Sequence, residues 1–103
     1  MTQTIKCNNI QEVRDQIDRV DNLIVELIAE RTTYVLQAAG FKKTRKAVRV
    51  PDRIEEIIAR VRGLADQLGL DPDLIDSVYR HLIEQSIEGE SQHWDEIQTR
   101  LTQ

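Results

Sequence analysis

The sequence has few of the residues on which covalent cross-links, metal sites and membrane spans depend. Its 103 residues include one cysteine, Cys7, so we expect no disulfide within the chain and no cysteine-based metal site. His81 and His93 lie twelve positions apart and lack a metal-ligand pattern. No apolar run reaches the length of a membrane span, and no signal peptide is visible. We therefore expect a cytoplasmic protein with no metal ion and no membrane partner.

The sequence also lacks a strand pattern, a glycine-rich phosphate loop and a repeat. Instead, 40% of the residues are hydrophobic and 31% are charged, with a mean hydropathy of −0.46, which is typical of a soluble and strongly helical protein. The net charge of −4 argues against general nucleic-acid binding. At this length we expect a single domain, residues 1–103, whose modest core would gain from oligomerisation.

Apolar residues in the first part of the chain recur at steps of three and four, which predicts a long helix with one narrow apolar seam. The seam residues are Ile10, Val13, Ile17, Val20, Ile24 and Leu27. Asn8 or Asn9 is the expected N-cap, and the helix should end at about Gly40 or slightly beyond. Residues 1–8, polar and aperiodic, predict a loose terminus. A helix of about 45 Å is too long for a small globule and predicts pairing with a partner chain.

Arg31 occupies the next position of this seam, where another apolar residue would fit. Burying a guanidinium costs several kcal/mol unless an anion meets it. Lys42 would lie within about 20° of the same azimuth if the helix continued that far, so the two cations could grip a small dianion. Arg14 lies about 25 Å from Arg31 along the helix and points away. It is either an ordinary surface arginine or part of the matching site of an antiparallel partner.

Residues 42–50, KKTRKAVRV, place five cations in nine positions without a helical apolar period, and we expect a loop there. The cations are Lys42, Lys43, Arg45, Lys46 and Arg49. Two interpretations remain open. The segment is either a solvated linker or a mobile cationic lid that closes over an anion.

Two further helices follow this loop. Pro51 is expected to open the second helix, with Arg53 in its first turn, and Gly69 to end it. Asp71 and Pro72 form an N-cap and first position for a third helix that runs almost to the end of the chain. The apolar positions of these helices are Ile54, Ile57, Ile58, Val61, Leu64, Ala65 and Leu68, then Leu74, Ile75, Val78, Tyr79, Leu82, Ile83, Ile87, Trp94, Ile97 and Leu101. The predicted fold is therefore all-α, with a long, a medium and a long helix.

Glu90 interrupts the apolar stripe of the third helix, with Ser86 one turn before it and Gly89 leaving space beside it. It is either a glutamate at the edge of the face that reaches water, or a buried acid that donates a hydrogen bond. The pattern alone favours the first interpretation. The cations Arg31, Lys42 and Arg53, with or without Arg14, form a set that converges on an apolar interior. This set predicts a small, polyanionic ligand from which water is excluded.

The segments that carry these residues, from about Ile10 to Trp94, resemble the AroQ class of chorismate mutases, the small all-helical ones. The segments are VRDQID with Arg14, LIAER with Arg31, AGFKK with Lys42, VPDRIEEI with Arg53, and IEQSIEGES with Ser86 and Glu90. Each is unspecific alone, but their order and spacing together are quite specific. AGFKK and VPDRI are similar to the subgroup that includes bacterial isochorismate-pyruvate lyases.

The resemblance implies an intertwined homodimer with two equivalent sites. Each site would take Arg14 from one chain and five residues from the other, namely Arg31, Lys42, Arg53, Ser86 and Glu90. It also implies pericyclic chemistry on a small dicarboxylate that bears an enolpyruvyl ether, without a cofactor or covalent intermediate. Chorismate would rearrange to prephenate, or isochorismate would lose pyruvate to give salicylate.

In this family scheme the arginines, Arg31 above all, fork onto the two carboxylates and fix the reactive conformer. Lys42 and Glu90 hydrogen-bond the ether oxygen, where negative charge grows as the C–O bond breaks.

The chain departs from the family pattern at two positions. Ile54 follows Arg53, where many family mutases carry a glutamate that binds the ring hydroxyl, and this favours a lyase. Glu90 replaces a glutamine common in bacterial members, and we expect it to be protonated when it acts, so that activity falls as the pH rises. The first interpretation is a chorismate mutase. The alternatives are an isochorismate-pyruvate lyase, a mutase for an amino-substituted chorismate, or a non-catalytic helical dimer that binds a partner helix or senses the metabolite.

Overall fold

The protein is all-helical in a computed structural model that describes residues 4–102. Three α-helices, α1 (Ile10–Ala39), α2 (Pro51–Gln67) and α3 (Pro72–Leu101), are joined by a loop and a tight turn, and a short 3-10 helix, Lys46–Val48, lies within the loop. The predicted all-α class and the order long, medium, long are confirmed. Across residues 4–102, no helix is long and apolar enough to cross a membrane.

The start of α1 is fixed by a reciprocal pair of side-chain hydrogen bonds. The Asn9 side chain accepts from the backbone N–H of Glu12 at 2.9 Å, and the Glu12 carboxylate accepts from the backbone N–H of Asn8 at 2.8 Å. These contacts satisfy two donors that a helix N-terminus leaves open, and they confirm the predicted N-cap. Of the predicted loose terminus, residues 1–3 lie outside the described residues, and residues 4–9 form no helix.

The end of α1 corrects one premise of the sequence analysis. The helix stops at Ala39, and a turn follows in which the N–H of Lys42 donates to the Ala39 carbonyl at 3.2 Å. Gly40, which costs about 1 kcal/mol relative to alanine inside a helix, marks the break. The helix therefore does not continue to Lys42. The prediction that Arg31 and Lys42 share one face of the same helix is wrong.

The turn between α2 and α3 follows its local sequence signals. Gly69 adopts a φ of 73°, and the N–H of Leu70 reaches back to the Ala65 carbonyl at 2.9 Å, which closes α2 in a Schellman motif. The Asp71 side chain then accepts from the N–H of Asp73 at 2.9 Å and caps α3, with Pro72 in the first turn. Both predicted boundaries are confirmed.

The chain forms two compact units, one up to Tyr34 and one from Val35 onward. In the first, the predicted seam of α1 stays 37% to 65% exposed from Ile10 to Leu27. The second contains the buried apolar residues Ala39, Val48, Ile58, Val61, Ala65 and Ile83. The sequence pattern predicts that Val48 lies in an aperiodic loop, because one short turn is too brief to show a period. In the structure, the 3-10 helix directs Val48 into this core.

Charged side chains also join α2 to α3. Arg80 binds both carboxylate oxygens of Glu55 at 3.0 Å and reaches Asp76 at 2.7 Å. Arg62 binds Asp76 at 3.1 Å and Asp73 at 2.9 Å. Hydrogen bonding by Arg80 lowers the pKa values of the Glu55 and Asp76 carboxyls. The network supports the packing of the two helices that carry the site described next.

Candidate active site

Lys42 and Glu90 form a largely buried ion pair. Lys42 Nζ lies 3.1 Å from Glu90 Oε2, and the Lys42 side chain is 23% exposed. Glu90 is 6% exposed, so the interpretation of a face-edge glutamate that reaches water is wrong. The pair joins the loop after α1 to the middle of α3, across 48 positions of sequence. It places a cation and a carboxyl side by side with little water around them, where electrostatic interactions are strong.

The backbone of Lys42 is held as well. The indole Nε1–H of Trp94 donates to the Lys42 carbonyl at 3.0 Å, in a part-buried hydrogen bond. The helical spacing of the sequence predicts Trp94 only as a member of the apolar face. No local signal shows this contact, because its partner is a main-chain oxygen 52 positions away.

Two further cations of the loop are paired with carboxylates of α3. Arg45 Nε donates to Asp95 Oδ1 at 3.0 Å, and Arg49 donates to both oxygens of Glu84 at 2.9 and 2.6 Å. The hydrogen bonds from Arg49 lower the pKa of the Glu84 carboxyl. With Lys42, three of the five cations of the loop therefore pair with carboxylates of α3, which distinguishes the loop from a freely solvated linker. In the sequence, Glu84 and Asp95 resemble ordinary surface acids and give no signal of these pairs.

Ser86 and Arg53 lie in the same compact unit as the Lys42–Glu90 pair. Ser86 is half-buried, one turn before Glu90, and its hydroxyl donates to the Leu82 carbonyl at 2.8 Å. Arg53 is exposed in the first turn of α2, where its guanidinium binds the Glu56 carboxylate. An anionic ligand would have to compete with Glu56 for Arg53.

Arg31 and Arg14 lie in the other compact unit, on α1. Arg31 is half-buried and Arg14 is exposed. Because α1 is one unbroken helix, their separation of seventeen positions corresponds to about 25 Å along its axis, as the sequence predicted. The two arginines of one chain therefore cannot grip the same small ligand.

No group of histidine, cysteine, aspartate and glutamate side chains in residues 4–102 could hold a metal ion. The side chains of the site supply hydrogen-bond donors, acceptors and charges. Lys42 supplies a hydrogen-bond donor with a positive charge, Glu90 a carboxyl that accepts or, when protonated, donates, and the arginines supply forks for carboxylates.

Comparison with known proteins places this arrangement in a family. Residues 13–91 match the family described as chorismate mutase type II. The isochorismate pyruvate lyase of Pseudomonas aeruginosa is 27% identical over 88 residues, which cover 85% of this chain and 87% of that protein. The chorismate mutase of Methanocaldococcus jannaschii is 29% identical over 92 residues, which cover 88% of this chain and 93% of that protein. The T-protein of Enterobacter agglomerans is 37% identical over 81 residues, which cover 77% of this chain and 21% of that protein. The chain therefore belongs to the chorismate mutase type II family of enzymes.

Proposed function

We propose that the protein is a chorismate mutase that rearranges chorismate to prephenate without a cofactor. The single observation that carries this proposal is the buried Lys42–Glu90 pair in a member of this family. In the Claisen rearrangement the ether C–O bond breaks while a C–C bond forms, and negative charge grows on the ether oxygen. The ammonium of Lys42, kept from most of the water, would stabilise that charge.

Glu90 takes the second donor position in this proposal. A carboxylate would repel the developing oxyanion, so Glu90 must carry a proton in the working enzyme and hydrogen-bond the ether oxygen. Activity should therefore fall as the pH rises, and Glu90→Gln, which donates at every pH, should flatten this decline. A pH–rate profile that is the same in both proteins would exclude this role.

The remaining site residues bind the substrate in this proposal. Arg31 and Arg53 of one chain fork onto carboxylates, Ser86 contributes a polar contact, and Arg14 comes from the second chain. Arg53 must exchange Glu56 for the substrate, which the high exposure of their ion pair permits. Residues 1–103 then act as one domain, with the loop of residues 42–50 closing the site.

We further propose that a second copy of the chain covers the seam of α1. Six large apolar residues spaced along one face, each 37% to 65% exposed, form the kind of extended apolar patch that marks an interaction surface. Arg14 lies too far from Arg31 of the same chain to bind the same small ligand, and this also favours a site built from two chains. Val20→Asp should weaken the dimer, whereas Asn22→Asp, which adds the same charge on another side of α1, should leave it intact. Sedimentation equilibrium would show this difference, and a monomeric wild-type protein would contradict the proposal.

The second candidate function is that of an isochorismate-pyruvate lyase. It is favoured by Ile54, which stands where many mutases carry glutamate, and by the similarity of most of the chain to the Pseudomonas aeruginosa lyase. A mutase for an amino-substituted chorismate would use the same site.

A parallel assay of the purified protein with chorismate and isochorismate separates these functions. Loss of chorismate absorbance with formation of prephenate supports the mutase, and fluorescent salicylate supports the lyase. A stable dimer without either activity would indicate a non-catalytic binding module. Lys42→Ala should lower kcat/KM by about 100-fold or more. Lys43→Ala, which removes the exposed neighbouring cation, should leave it within about twofold.

A further inference from the structure

Lys42 is fixed at three points within the second compact unit. Its N–H donates to the Ala39 carbonyl at 3.2 Å, its own carbonyl accepts from the Trp94 indole at 3.0 Å, and its ammonium lies 3.1 Å from Glu90. The first contact ties the residue to the end of α1. The other two tie it to α3.

Trp94 and Glu90 are four residues apart on α3, so their side chains lie one turn apart on the same face. One turn of this helix thus holds both ends of Lys42, the backbone through the indole and the tip through the carboxyl. A lysine side chain has four rotatable bonds, and its ammonium keeps a defined position only when its backbone is also fixed.

We propose that Trp94 is a positioning residue for Lys42. Its indole N–H holds the Lys42 carbonyl, and thereby places the ammonium where the ether oxygen of the substrate will carry charge. Trp94 itself acts through Lys42 and needs no contact with the substrate. This inference rests on the proposed role of Lys42 in the reaction.

The other contacts of the loop are less suited to this task. The neighbouring pair of Arg45 and Asp95 has side chains that are 58% and 49% exposed, and such pairs contribute about 0–1 kcal/mol. It also holds a residue three positions beyond Lys42. The indole, in contrast, makes a part-buried bond to Lys42 itself.

Trp94→Phe removes the N–H donor and keeps an aromatic ring at this half-buried position. Because the chain has one tryptophan, replacing it biosynthetically with benzothienylalanine removes the same donor at that position alone while keeping the bicyclic shape. This second protein keeps the test decisive if the phenylalanine variant does not fold. We expect kcat with chorismate to fall by about 10- to 100-fold, since a misplacement of about 1 Å costs that much, while KM stays within about twofold. Asp95→Asn, the matched control, should keep kcat within about twofold.

A second measurement does not depend on the reaction. In the full-length protein, trypsin should cut the loop after Lys43, Arg45 or Lys46 faster when the indole donor is missing. Suppose first that the wild-type protein converts chorismate. An unchanged kcat in the folded proteins without the indole donor then overturns the proposal, whatever the cleavage rate. A rise in KM by the same factor as the fall in kcat overturns it as well. If it does not convert chorismate, the proposed function fails separately. The cleavage rate alone then decides whether Trp94 holds Lys42, and an unchanged rate would show that it does not.

Discussion

Removing either partner of the Lys42–Glu90 pair should destabilise the protein, but by unequal amounts. Lys42→Met deletes the ammonium and leaves a carboxylate buried without its cation. Glu90→Gln leaves the ammonium, whose side chain is 23% exposed and can turn to water, with an amide oxygen still near it. The asymmetry follows from the unequal burial of the two groups.

Breaking a buried ion pair costs about 3–5 kcal/mol, and the partial exposure of Lys42 places Lys42→Met near the lower value, at about 3 kcal/mol at pH 7. Glu90→Gln should cost about 1 kcal/mol, as for one hydrogen bond weakened beside water. The double variant should regain much of the loss, since no unpaired charge remains.

Urea denaturation at one fixed protomer concentration measures these differences, because the stability of an oligomer depends on concentration. All four proteins, wild type included, should be compared at pH 7. Equal losses in the two single variants would refute the reasoning. So would a loss in Lys42→Met that is not recovered in the double variant.

Three further predictions concern the arginines and their carboxylates. Glu56→Gln should lower KM by up to about fivefold, because Arg53 no longer has to release an exposed carboxylate worth about 1 kcal/mol; an unchanged KM would mean that the two do not compete. Arg31→Lys should reduce turnover by about 100-fold with an unchanged circular dichroism spectrum, since it keeps the charge but loses the fork; near-wild-type rates would remove Arg31 from the site. The pKa of Glu84 is lowered by hydrogen bonding to Arg49, so this pair stabilises the fold above the pKa of the unfolded chain and ceases to do so as the pH falls through the folded value. The unfolding midpoints of wild type and Glu84→Gln should therefore differ at neutral pH and converge between about pH 5 and pH 3, and a constant difference would contradict this linkage.

The helix boundaries could be predicted from sequence because their causes are local. Asn9 caps α1 with a residue three positions on, and Gly69 and Asp71 end and begin helices through contacts within five residues. Each signal is complete within a short window. The end of α1 was also predicted to within one residue, at about Gly40. Only the extension of the helix to Lys42 was wrong, because the turn after Ala39 is held partly by distant residues.

The contacts of the site could not be predicted from the pattern alone. Lys42 and Glu90 are separated by 48 positions, and the family resemblance grouped them without giving their distance or burial. Periodicity assigned Trp94 to an apolar face, but it does not show where an indole N–H will find its acceptor. Such partners depend on how the loop crosses α3, which is a property of the packed chain.

The exposed seam of α1 affects how long a newly made chain persists in a cell. In the proposed dimer, a newly made chain carries this apolar face uncovered until it meets a second copy. During that interval it offers chaperones and proteases the kind of surface that they recognise. The amount of working enzyme then depends on the rate of encounter as well as on the rate of synthesis. Scarce chains would be removed before pairing, so a weakly expressed copy would yield disproportionately little activity.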